Sequence, residues 1–191
     1  MDTSSEREDF RPLPQPGMDY RRASVLILLY PRGGEDYVVF TRRTESVATH
    51  KGQISLPGGS QDPTDPDPVF TALRETHEEL GIEPQAVEVI AALKEVFVPV
   101  SGFMITPVVA RVRPDLDSDG LVFKPNPDEV AELIEVPLSA LRDDAIHHTE
   151  PRTANGVTYH IHYYTYGPYV IWGATGRIIY EYLKSGVAGE A

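Results

Sequence analysis

Apolar positions along the chain change their period more than once. Residues 25–29 (Val-Leu-Ile-Leu-Leu) and 37–41 (Tyr-Val-Val-Phe-Thr) are short runs rich in β-branched and aromatic side chains, separated by Pro31, Arg32, Gly33 and Gly34. Runs of that composition around a Pro/Gly turn predict two strands joined as a hairpin. Over residues 67–80 the apolar positions fall at helical spacing, and Gly81 is a residue suited to ending a helix. Residues 87–98 and 103–112 return to β-rich patterning, with a turn at residues 99–102, and residues 129–136 predict a further strand. A short turn of helix is expected over residues 137–141 and an aromatic-rich strand over residues 157–166. Val170, Ala174, Ile178 and Tyr182 recur every fourth residue, so residues 168–183 predict an amphipathic helix.

Other segments lack such periods. Residues 1–20 carry Pro12, Pro14, Pro16 and Gly17 with few apolar residues, and are expected to form a flexible or surface-laid arm. Residues 21–185 are expected to fold as one domain, leaving residues 186–191 as a tail. Residues 115–120 read as a turn. Their aspartate spacing echoes a calcium loop, but Asn126 stands where such a loop ends in glutamate.

The helix expected over residues 67–80 has two chemically distinct sides. Glu75, Glu78 and Glu79 share one sector, while Val69, Leu73, Thr76, His77 and Leu80 fill the opposite one. Like charges three and four residues apart cost a few tenths of a kcal/mol per pair. A solvated acidic face tolerates that cost; a bound hard cation repays it, since clustered carboxylate oxygens suit Mg²⁺ or Mn²⁺. Arg74 is placed to neutralise part of the cluster.

Composition narrows the class. The chain has 191 residues, enough for one domain with a sizeable core, and no cysteine, which removes disulfides and thiolate metal sites. A net charge of -12 argues against a nucleic-acid backbone as main partner. The first residues lack the basic end and apolar stretch of an export signal, and no apolar run approaches the roughly 20 residues that span a bilayer. A cytoplasmic enzyme without a membrane partner is expected. An anionic small molecule remains compatible with the negative charge where divalent metal and a few arginines reverse the local field.

Residues 74–82, Arg-Glu-Thr-His-Glu-Glu-Leu-Gly-Ile, preceded by Gly58 and Gly59, resemble the signature of the Nudix hydrolase family, which runs Arg-Glu-hydrophobic-x-Glu-Glu-x-Gly-hydrophobic after a glycine and an earlier glutamate. Thr76 stands at the usual apolar position. Gly59 lies one residue too far from Arg74, and Asp62 or Asp65 stands near the place of the first glutamate. That one-residue extension resembles the coenzyme A diphosphatase branch. Residues 40–44 and 50–59 are similar to the same branch's upstream motif, with Ala48 replacing its second arginine, Thr44 a small residue and Leu56 a phenylalanine. Residues 169–177 resemble a Trp-Gly helix near the end of that branch, read here as packing.

The resemblance implies an α/β fold of α+β type, an α/β/α sandwich with a mixed sheet. It implies that Glu75, Glu78 and Glu79, with the carbonyl of Gly58, hold Mg²⁺ or Mn²⁺ and that Arg74 orients a glutamate. The resemblance draws the base that activates water either from the signature carboxylates, Glu78 and Glu79 among them, or from a later glutamate, for which Glu129, opening the strand at 129–136, is the candidate. Arg43, His50, Lys51, Gly52 and Phe103 are candidate substrate contacts, with Met104 beside Phe103. His147 and His148 carry no role and are expected to be solvent-exposed. The implied reaction cuts coenzyme A into 3′-phosphoadenosine 5′-phosphate and 4′-phosphopantetheine. Alternatives are cleavage of ADP-ribose, NADH or another nucleoside diphosphate derivative, and a non-catalytic nucleotide-binding regulator. A homodimer is compatible with the chain, with no feature of the sequence that requires it.

Overall fold

The computed structural model describes residues 13–44, 52–113, 122–154 and 157–187. Strand β1 (Arg21–Arg32) and strand β2 (Glu35–Arg43) form the expected hairpin. Arg32 pairs with Glu35, so the turn is the two residues Gly33 and Gly34, at φ 63° and 82°. Positive φ at both positions is the requirement of a type I′ turn, and glycine meets it without strain.

β1 organises the molecule. It pairs antiparallel with β2 and with the short strand β4 (Gly58–Ser60), and parallel with β7 (Phe103–Val112). β2 also carries β3 (Ile54–Ser55) and β8 (Val130–Pro137), while β7 carries β5 (Val87–Ala92) and β6 (Val96–Val98). The mixed sheet therefore runs β3-β2-β1-β7-β5 along its main path. The single strand expected over 87–98 is two, separated at residues 93–95.

Both faces of β1 are covered, which explains its nearly unbroken apolar run. Leu26, Leu28 and Tyr30 pack with Ala72 and Leu80 of helix α1 (Pro68–Leu80) on one side. Ile27 and Leu29 pack on the other with Leu138 and Leu141 of α2 (Leu138–Leu141) and Ile178, Ile179 and Tyr182 of α3 (Gly173–Lys184). The result is the expected sandwich. Leu80 is fully buried, so Leu80→Ala would cost about 2–5 kcal/mol.

A second sheet of three strands, β9 (His147–Ala154), β10 (Val157–Tyr166) and β11 (Tyr169–Ile171), joins the α3 side. Two expectations are corrected here. Residues 168–183 are not one helix: Gly167 at φ 55° turns the chain after Tyr166, Tyr169 pairs back with it, and the helix starts only at Gly173. His148 is exposed as expected, but His147 is partly buried. Its ring stacks on Tyr164 and His162, and its Nε2 lies 3.0 Å from His162 Nδ1. α3 approaches β10 closely because Gly176 has no side chain; a methyl there would strike the His162 carbonyl.

No helix among the described residues is long and apolar enough to cross a membrane.

Candidate active site

α1 begins where Asp67 accepts a hydrogen bond from the N–H of Phe70 at 2.8 Å, with Pro68 in its first turn. An N-cap of this kind contributes about 1 kcal/mol. The helix ends at Gly81, at φ 68°, whose N–H donates to the His77 carbonyl. Thr76, the departure from an apolar position, is buried, and its hydroxyl donates to the Ala72 carbonyl at 2.7 Å, so the polar group is satisfied within the helix. His77, expected on the packed side, is exposed and lies 3.8 Å from Glu83.

The three glutamates do not share one environment. Glu78 is solvent-exposed, Glu75 half-buried and Glu79 only 3% exposed, so the expected uniformly charged outer face is corrected. Two glycines make room for the inner pair. The N–H of Gly58 donates to Glu79 Oε2 at 3.2 Å, and a methyl at Gly59 would collide with the Glu75 carboxylate. Arg43, at the end of β2, places Nη1 3.5 Å from Glu79 Oε1.

Arg74 is the hub of the outer half. Its Nε and Nη2 donate to Asp65 at 3.1 and 2.9 Å, its Nη1 lies 2.9 Å from Glu75 and 3.2 Å from Glu78, and Nη2 also donates to the Ser60 carbonyl. Asp65 is buried and accepts further hydrogen bonds from the Asp62 N–H and the Thr71 hydroxyl, each at 2.9 Å. Hydrogen bonds from Arg74 hold the Asp65 carboxyl down at about 2. Asp65 thus fixes the arginine that in turn gathers the glutamates, a role the sequence did not assign.

Glu129 reaches the same place through the backbone. The N–H groups of Lys124 and Asn126 donate to the carbonyls of Leu80 and Glu79 at the end of α1, both at 2.8 Å, and Thr44 N–H donates to the Glu129 carbonyl. The segment before β8 is thereby tied to the last turn of α1 and the end of β2, and the Glu129 charge acts on both Glu75 and Glu79. Burial pushes the Glu79 carboxyl up to about 7; Gly58 and Arg43 oppose the rise, and Glu129 and Glu75 add to it. Burial likewise raises Glu75, against the pull of Arg74.

Among the described residues, no three carboxylate or imidazole groups are already gathered at metal-ligand spacing. The chemistry of the donor set nonetheless fits a hard divalent cation: oxygen donors only, one of them buried, with like charges facing one another. Taking up an ion would exchange Arg74 contacts of Glu75 and Glu78 for metal bonds.

The other sequence candidates are dispersed. Gly52 donates its N–H to the Arg43 carbonyl, at the edge of the site. Phe103 pairs with Arg21 on β1, and its ring lies 4.0 Å beneath the Arg21 guanidinium, two strands away from Gly59. Met104 is buried. His50, Lys51 and Ala48 lie outside the described residues. Trp172, read as packing, is instead 48% exposed at the start of α3.

A mixed sheet between helices, with an acidic helix set against a glycine pair, defines a Nudix fold. A family model described as the NUDIX domain matches residues 20–155, and the chain belongs to that family. It is 36% identical over 164 residues to "Nudix hydrolase 15, mitochondrial" of Arabidopsis thaliana, covering 83% of this chain and 56% of that protein. The chain therefore spans little more than half of the plant relative. It is 35% identical over 164 residues to "Uncharacterized Nudix hydrolase NudL" of Escherichia coli (strain K12), covering 86% of this chain and 82% of that one. Among solved structures, a Nudix hydrolase from M. smegmatis, RenU, aligns with a TM-score of 0.53 at 25% identity over 71% of this chain and 83% of that one. A MutT/nudix family protein from Enterococcus faecalis aligns with a TM-score of 0.58 at 16% identity over 91% of this chain and 64% of that one, a likeness of fold.

Proposed function

We propose that this Nudix hydrolase cleaves the diphosphate of coenzyme A or its derivatives, giving 3′-phosphoadenosine 5′-phosphate and 4′-phosphopantetheine, with Mg²⁺ or Mn²⁺ held by Glu75, Glu78, Glu79 and the Gly58 carbonyl. The observation that carries the reading is the contact of Arg43 with Glu79. It joins the segment that resembles the coenzyme A branch to α1 in one site.

The bound metal would neutralise charge on the phosphoryl oxygens and acidify a water. The chain's own residues do the rest. Asp65 fixes Arg74, and Arg74 keeps Glu75 and Glu78 on the substrate side of α1. Gly58 and Arg43 favour the ionised form of Glu79 against its burial. Glu129 takes the proton of the attacking water as the new P–O bond forms and the anhydride P–O bond breaks, leaving its electron pair on the departing phosphate. Arg43 supplies positive charge for the diphosphate itself.

Ala48, in place of the branch's second arginine, favours a second reading, in which ADP-ribose, NADH or a related nucleoside diphosphate derivative is the better substrate. Hydrolysis of coenzyme A, dephospho-coenzyme A, ADP-ribose and NADH with Mg²⁺ or Mn²⁺, products identified by mass, decides between them. Release of 4′-phosphopantetheine with preference for coenzyme A is expected; faster turnover of ADP-ribose or NADH would overturn it.

A further inference from the structure

The end of β2 carries two arginines with different tasks. Arg43 points to Glu79, whereas Arg42 donates from Nε to Glu132 Oε2 at 2.9 Å and borders a separate cleft of about 440 Å³. Arg42, Ile54, Glu132, Tyr169, Val170 and Trp172 line it. Gly52 also borders this cleft and donates to the Arg43 carbonyl, so the cleft begins where the carboxylate site ends.

We propose that this cleft is the subsite for the nucleobase of the substrate, a reading that rests on the proposed diphosphate hydrolysis. Its volume falls within the range of small-molecule sites. The Trp172 ring is half exposed, and Val170, 46% exposed, stands beside it. Tyr163 stacks on Trp172 with ring planes 10° apart, which fixes the indole as a platform. Exposed apolar area of this kind, on either side of the buried Ile171, is what a flat ring covers. The lining also carries polar groups that hold one another: Tyr169 donates to Glu132 Oε1 at 2.6 Å while Arg42 holds Oε2. The arginine and glutamate cancel in charge, so the cleft suits an uncharged ring with donors and acceptors on its edge better than a phosphate. A flexible amide chain would lose more rotor freedom on the same surface.

Trp172 is the chain's single tryptophan, so the protein carries its own probe. Adenosine 5′-monophosphate and 4′-phosphopantetheine are titrated separately into the full chain in EDTA, following tryptophan emission. Saturable quenching by adenosine 5′-monophosphate alone, lost in Val170→Glu, is expected. Trp172→Ala should raise KM for the hydrolysed substrate roughly five- to a hundredfold with kcat nearly unchanged, and Trp172→Phe should restore most of it. Quenching by 4′-phosphopantetheine alone, or by neither ligand in a protein that still hydrolyses its substrate, would overturn the assignment. Quenching by adenosine 5′-monophosphate in a protein without hydrolytic activity would support the subsite while refuting the reaction.

Discussion

Gly59 and Glu75 are in such close approach that glycine is the only residue the site accommodates without moving a carboxylate. The atoms a methyl would meet are the far end of a flexible side chain, so Gly59→Ala should cost less than about 1 kcal/mol of stability. Displacing Glu75 should nevertheless lower kcat/KM at least tenfold, equivalent to about 1.4 kcal/mol. Gly58→Ala behaves differently. It collides with the backbone of Ser24 and Val25 at a φ of 145°, and should lower the melting temperature itself. Thermal melts beside activity for the two variants check this contrast.

Glu79→Gln separates stability from function. Glutamine keeps an oxygen for the Gly58 N–H and removes a buried charge that faces Glu75 and Glu129. The melting temperature without metal should hold or rise, while activity falls by orders of magnitude. Loss of fold in this variant would contradict the picture of Glu79 as an electrostatic burden held for catalysis.

A divalent cation should stabilise the wild type in proportion to its binding, by RT ln(1 + [L]/Kd). Mn²⁺ should therefore raise the melting temperature of the wild type and leave Glu79→Gln unmoved. An equal rise in both would place the ion elsewhere.

Asp65→Asn tests the anchor of Arg74. Losing a charge-assisted acceptor for a partly buried guanidinium should cost about 1–3 kcal/mol. Because Asp65 titrates lower in the folded chain than in the unfolded one, its contribution is present above the unfolded value and is lost as pH falls through about 2. Urea midpoints should thus show the full loss for the variant at pH 7 and a smaller one at pH 3, which lies between the folded and unfolded values.

His162 sets a second pH dependence. Burial pushes its imidazole down to about 4, with His147 and Arg177 adding to the effect, and its Nε2 has no hydrogen-bond partner among the described residues. The unfolded chain takes up the proton first, so this stability is full above about pH 6.5 and declines as pH falls toward 4. His162→Phe, which keeps a ring against Tyr180, should flatten the melting curve over that interval.

Much of this architecture was legible in the sequence because one period dominates each element. The run from Val25 to Leu29 could only be a buried strand beside another, and Gly33-Gly34 dictated its turn. The carboxylates of α1 were visible as a cluster. Their unequal burial was not, since it arises from Gly58 and Gly59, which approach α1 only once β4 pairs with β1. Asp65 sits in a Pro-rich stretch without period, where its reach to Arg74 depends on the Asp62 turn. β9 was missed because His147, His148 and Pro151 show no alternation, and its pairing with β10 supplies what local propensity does not. Trp172 misled for the opposite reason: a large apolar ring next to small residues reads as core, and Gly176 is the residue that packs.

The parallel pairing of β1 with β7 carries a kinetic consequence. Ser24 donates its hydroxyl to the carbonyl of Thr106, 82 residues away, so the sheet that cradles the glycine pair is closed by a pairing that spans α1 and the strands between. Contacts of such sequence separation slow folding, because the entropy of closing the loop is lost before the contact repays it. Residues 58–82 cut out as a peptide would keep the acidic helix signature and lose everything that makes it a site: β1 beneath Gly58, Arg43 from β2 and Glu129 from beyond α1. The motif is local in sequence, but its chemistry belongs to the finished sheet.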